Sequence, residues 1–179
     1  MPLYTTIVLI GFMGTGKSTV GKRLAKVLGW EFIDTDREIE EVTGLSVAEI
    51  FKRFGETRFR SEEQLVVKRL SGREYCVIAT GGGTMLNPEN WKLLSENGLI
   101  IALYAPLDTI LARVGHRNDR PLLKGSREEL ERLWACRQVV YAQADITLDT
   151  TNKGIDEVVN EILGLTEVGK YELSRLAKD

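Results

Sequence analysis

The octapeptide Gly11-Phe12-Met13-Gly14-Thr15-Gly16-Lys17-Ser18 constrains this chain more than any other feature. It matches G-x-x-x-x-G-K-[ST] without a gap, and that pattern has a mechanical reading. Glycines let backbone N–H groups turn inward around phosphate oxygens. A helix opening near Lys17 aims its positive end at the same charge. Lys17 is expected to reach the β- and γ-phosphates of a nucleotide, and the Ser18 hydroxyl to ligate Mg²⁺. The required context is present. Tyr4 to Ile10 reads as a buried strand, and Lys17 to Leu28 carries apolar or small residues at helical spacing up to Gly29, a C-cap residue.

Such a loop needs a sheet behind it, and the rest of the sequence supplies one. Further strands are expected over Glu31–Asp34, Tyr75–Ala79, Leu99–Tyr104 and Asp145–Leu148. Helices are expected over Asp36–Thr43, from Ser46 to about Leu70, and over Pro88–Asn97, Leu107–Val114, Arg127–Gln143 and Ile155–Leu163. Ser46 and Glu49 have capping-box spacing, with Val47, Ile50, Phe51 and Phe54 on one face. Strand–helix alternation predicts a parallel sheet covered on both faces, with ligands at the C-terminal strand edge. At 179 residues the chain is expected to be one domain.

Composition removes other classes. A net charge of −2 gives no basic footprint for nucleic acid. The longest apolar run, Leu99 to Leu107, is interrupted by Pro106 and is far short of the ~20 residues that span a bilayer. The N-terminal hexapeptide lacks a basic n-region. Cys76 and Cys136 cannot form a disulfide framework, and His116 stands alone, excluding multi-histidine metal sites. The expectation is a cytoplasmic, reduced, monomeric protein.

The third strand ends Ala79-Thr80-Gly81 with no aspartate, so Asp34 at the end of the second strand is the candidate metal carboxylate. Asp34-Thr35-Asp36 places two carboxylates two apart. In extended backbone they point the same way; alternatively Asp36 caps the next helix. Glu56 and Glu63 flank Arg60 at i−4 and i+3 and can orient its guanidinium. Arg60 and Arg137, if they converge, make a carboxylate clamp. Gly81-Gly82-Gly83 permits close backbone approach to a ligand. Arg113 to Gly125 is a polar, basic stretch suited to close over phosphates.

In order along the chain, GFMGTGKS (11–18), DTD (34–36), GETRFRSEE (55–63), ATGGG (79–83), RPLL (120–123), RQVVY (137–141) and ADITLDT (144–150) resemble the shikimate kinase family. The resemblance implies a nucleoside-monophosphate-kinase-like P-loop α/β/α fold with a five-stranded parallel sheet. It implies ATP- and Mg²⁺-dependent phosphorylation of the shikimate 3-hydroxyl. By motif, Asp36 binds the acceptor hydroxyls and assists deprotonation, while Arg60 and Arg137 hold the carboxylate. Gly82 offers its N–H, with Gly81 and Gly83 shaping the loop. Gly14, Thr15, Gly16, Lys17, Ser18 and Thr19 bind ATP. Ser18 and Asp34 serve Mg²⁺, and Arg120 reaches the phosphates. Arg113 stacks near adenine, and Lys153 falls in the adenine loop. Residues 34–62 would form the substrate-binding insertion and 113–125 a lid; the tail 164–179 carries no motif. The family commonly has proline two after the arginine matched to Arg137, where Val139 stands here, which leaves Arg132 as the alternative. Another small-molecule kinase, such as a gluconate kinase, and a nucleotide-binding switch without transfer are the competing readings.

Overall fold

The structure is a computed structural model, and it describes residues 4–114 and 126–166. Five parallel strands form one sheet: β1 (Thr6–Ile10), β2 (Glu31–Asp34), β3 (Cys76–Ala79), β4 (Gly98–Tyr104) and β5 (Ile146–Asp149), in the order β2-β3-β1-β4-β5. The central strand is buried along its whole length, and apolar from Ile7 to Ile10, because both of its faces are covered. Ile7 and Leu9 face α1 (Lys17–Leu28) and α7 (Ile155–Leu165), packing with Leu24 and Ile162. Val8 and Ile10 face the opposite layer, with Val67 of α3 (Val47–Leu70), Leu94 of α4 (Pro88–Ser95), Ile110 of α5 (Leu107–Val114) and Leu130 of α6 (Arg127–Tyr141). Helix α2 (Thr35–Thr43) sits against α3 at the β2 edge.

The connections from β1 and from β3 leave in opposite directions across the sheet. That makes the C-terminal end of β1 a crevice, and the Gly11–Gly16 loop opens into it.

Local signals set the helix ends. Gly29 and Gly44 close α1 and α2 in left-handed conformation, and Ser46 and Glu49 form both halves of a capping box on α3. One expectation fails inside α3. Gly55 adopts φ 80° and ψ 178°, which breaks the helix into two segments. This backbone region is essentially confined to glycine. Phe54, the last residue before the break, is 58% exposed and does not join Ile50 and Phe51 against the core. Beyond the break, Phe59, Glu63, Val66 and Val67 turn inward.

Candidate active site

The sequence from Gly11 to Ser18 forms the loop and the first turn of α1. Gly16, at φ 98°, turns the chain into the helix, and Thr15 Oγ1 donates to the Phe12 carbonyl at 2.8 Å. The Lys17 side chain is buried and curls over the loop, its ammonium donating to the carbonyls of Gly11 at 2.8 Å and Phe12 at 3.0 Å. Ser18 Oγ donates to Asp34 Oδ2 at 2.7 Å, so the hydroxyl and carboxylate expected at a metal meet beside the loop. These two oxygens fit Mg²⁺, which takes one or two carboxylates and completes its octahedron with phosphate oxygens and water. Thr19 lines a neighbouring hollow with Lys22, Arg23 and Asp156.

The residues expected near the base gather around the turn after β5. Arg113 donates to Thr150 Oγ1 at 2.9 Å and to the Thr150 carbonyl, and Lys153 pairs with Glu161 at 2.6 Å. Arg120 and residues 115–125 of the expected lid lie outside the described residues, as do 167–179 of the tail.

Beside the phosphate loop is a cavity of about 330 Å³. Met13, Lys17, Asp34, Asp36, Arg60, Glu63, Gly81, Gly82, Gly83 and Arg137 line it, and Val47, Phe51 and Phe59 make its apolar wall. Neither sequence reading of Asp34-Thr35-Asp36 holds as stated. The backbone is not extended through 36, and it is Asp34, not Asp36, that caps α2, its Oδ1 accepting the Asp36 N–H at 3.1 Å. Both carboxylates nevertheless reach the cavity, because the cap and the first helical turn both open toward it.

Asp36 Oδ1 is buried and has no hydrogen-bond donor among the described residues. Burial, then the charges of Asp34 and Glu63, push the Asp36 carboxyl up to about 6 against the pull of Lys17. It is a carboxylate made basic.

The two arginines converge from different helices. Arg60 on α3 is held by Glu56 at 3.2 Å and by Glu63 at 2.8 Å, as the i−4 and i+3 spacing predicts. Arg137 on α6 is 5% exposed and lies over the Phe12 ring at 5.7 Å, its Nε buried without a partner among the described residues. Arg132 is exposed and does not line the cavity, so Arg137 is the arginine of α6 that faces it. Val139 is 71% exposed, on the far side of α6, where its departure from proline leaves the cavity untouched.

The three glycines after β3 meet these groups one by one. A Cβ on Gly81 would sit 2.6 Å from Asp36 Oδ1, one on Gly82 would sit 2.9 Å from Arg137 Nη1, and one on Gly83 would sit 2.6 Å from Arg60 Nη2. Each missing side chain is the space one charged group occupies.

With this geometry in place the comparisons are decisive. The shikimate kinase family model matches residues 13–167. The chain belongs to the shikimate kinase family. It is 52% identical over 167 residues to a shikimate kinase of Pelotomaculum thermopropionicum, covering 92% of this chain and 97% of that one. The solved shikimate kinase of Acinetobacter baumannii, in complex with shikimate, superposes with a TM-score of 0.86 at 37% identity, covering 90% of this chain and 92% of that one. A gluconokinase of Sinorhizobium meliloti, at 18% identity and a TM-score of 0.51 over 99% of this chain and 96% of that one, shares the fold alone. The chain is thus a kinase on a P-loop, nucleoside-monophosphate-kinase-like fold. Among the described residues no helix is long and apolar enough to cross a membrane.

Sequence reasoning missed two residues of this shikimate kinase family member. Thr35 Oγ1 accepts the Gly81 N–H at 2.9 Å, and Tyr141 donates to the Gly82 carbonyl, so α2 and α6 each fix the glycine loop. Thr35 lies inside the DTD motif and Tyr141 inside RQVVY; their presence there was the only signal, and it carried no role.

Proposed function

We propose that this chain transfers the γ-phosphoryl group of ATP to the 3-hydroxyl of shikimate. The observation that carries the reading is the convergence of Arg60 and Arg137 on the glycine loop, next to a basic carboxylate and the phosphate loop. A small hydroxylated carboxylate fits that set: two guanidiniums for its carboxylate, one aspartate for its hydroxyl. Asp36 takes the hydroxyl proton as the oxygen attacks phosphorus, and its raised basicity keeps it ready to do so near neutral pH. Lys17 neutralises charge on the transferring group, and the backbone of the Gly11–Gly16 loop cradles the phosphates. Ser18 and Asp34 would hold Mg²⁺, which when bound draws charge from the β- and γ-phosphate oxygens. Arg120 is assigned to the phosphates and Arg113 to the adenine by the family's pattern. The apolar wall of Val47, Phe51 and Phe59 receives the ring carbons and helps to exclude water from the hydroxyl–phosphate contact.

The test is coupled measurement of ADP release with ATP, Mg²⁺ and shikimate, gluconate, AMP or no acceptor. Release that depends on shikimate alone is expected. Release with gluconate or AMP instead would overturn the acceptor assignment, and ATP binding without release under any condition would return the chain to a nucleotide switch.

A further inference from the structure

From Glu63 in the cavity lining a buried polar chain runs inward to Thr84 and Asn90, two residues that the reaction as proposed does not use. Thr84 is 0% exposed, Glu63 1% and Asn90 1%, three polar side chains deep in an otherwise apolar layer. Thr84 Oγ1 donates to Glu63 Oε1 at 2.7 Å. The other Glu63 oxygen, Oε2, accepts from Arg60 Nη1 at 2.8 Å. Asn90 Nδ2, from α4, donates to the Thr84 carbonyl at 3.0 Å and pins the short turn Thr84–Leu86 that carries the hydroxyl. Polar groups buried this deeply are costly to leave unpaired, so each link fixes the next.

The same hydroxyl sits at a crowded point. A Cβ on Gly81 would lie 2.6 Å from Asp36 Oδ1, 3.1 Å from Thr84 Oγ1 and 3.3 Å from Glu63 Oε1. Thr84 gives its hydroxyl proton to Glu63. Asp36 Oδ1 keeps its lone pairs, and Glu63 is locked with Oε2 toward Arg60.

We infer that Thr84 is a positioning residue for the acceptor carboxylate, acting through Glu63 to fix the Arg60 guanidinium against Gly83. Thr84 touches no reactant; its hydroxyl removes the freedom of Glu63 to rotate, and a fixed Glu63 removes the freedom of Arg60. The inference rests on the shikimate reading of the cavity.

The test uses the full chain with Thr84→Val, which keeps the shape and loses the donor, and Thr84→Ser, which keeps the donor. Steady-state kinetics are read separately for each substrate. The shikimate KM of Thr84→Val is expected to rise about tenfold, the size of one lost charge-assisted contact. The ATP KM stays within twofold, and Thr84→Ser restores the shikimate KM. If Thr84→Val does not fold, Thr84→Ala is read against Thr84→Ser in the same way. An unchanged shikimate KM in the donor-less variant overturns the inference, as does an equal rise in both KM values or a Thr84→Ser that behaves like valine. Wild-type protein that releases no ADP with shikimate overturns the underlying reading instead, before any variant is compared.

Discussion

Replacing Asp36 by asparagine should kill transfer and stabilise the protein. The raised carboxyl means that the folded state prefers Asp36 protonated. Its value moves from 3.8 to about 6, a difference of about 2 units, which corresponds to roughly 3 kcal/mol. The sign follows from proton counting. Below pH 3.8 both folded and unfolded chains hold the proton and the site is neutral to stability. Between pH 3.8 and about 6 only the folded chain holds it, so stability falls as pH rises. Above about 6 the whole cost is present. Asparagine carries no charge to bury, and its amide adds a donor beside the carboxylate of Glu63. At pH 7.5 the variant should therefore gain up to about 3 kcal/mol, a rise in melting temperature of roughly 5–10 °C for a chain this size. The assay is thermal unfolding of wild type and Asp36→Asn in parallel at pH 7.5 and pH 5, with ATP binding measured as a control for an intact phosphate loop. The gain should shrink by nearly half at pH 5. A variant less stable than wild type at pH 7.5, or a gain equal at both pH values, would refute the claim that Asp36 is held ionised at a cost.

Gly83→Ala should raise the shikimate KM by about tenfold or more with little change in the ATP KM, because its Cβ would displace the Arg60 guanidinium from 2.6–2.9 Å contact; kinetics at saturating ATP read this directly. Gly55→Ala should cost about 1–3 kcal/mol in urea unfolding, since φ 80° with ψ 178° strains any side chain even though no atom lies near the new Cβ. Ser18→Ala should raise the Mg²⁺ concentration needed for half-maximal rate, leaving the melting temperature within about 2 °C, because the lost hydrogen bond to Asp34 is exposed. Removing Mg²⁺ with a chelator should stop ADP release in wild type and be reversed by adding it back.

The parts that were legible in sequence are those written in local residues. The Gly11–Ser18 loop, the Ser46–Glu49 capping box, the glycine C-caps and the ion pairs that grip Arg60 each depend on neighbours within a few positions, and all appear as spacing predicts. The strand order was not legible, because parallel pairing is set by crossover helices and not by any strand's own residues. The convergence of Arg60 with Arg137 was also beyond spacing, since α3 and α6 are far apart in sequence and are brought to the glycine loop by packing on the same face of the sheet. Periodicity misled at Phe54, which sits at the very end of the first helical segment, where the chain leaves the helix at Gly55. The DTD motif misled for a similar reason: a strand's period of two was carried across a boundary where the chain had already begun to coil.

The glycine loop also sets the terms on which this sequence can drift. Positions 81, 82 and 83 are filled by groups from α2, α6 and α3 respectively, so a side chain gained at any one of them is tolerated only after a loss in a distant helix. A single step there displaces a charged group of the site. The apolar wall carries no such interlock: the side chains of Val47 and Phe51 are apolar, partly buried and face the same cavity. A lineage or a designer seeking a different ring to phosphorylate has its short path through those wall positions, while the loop and its three visitors change together or not at all.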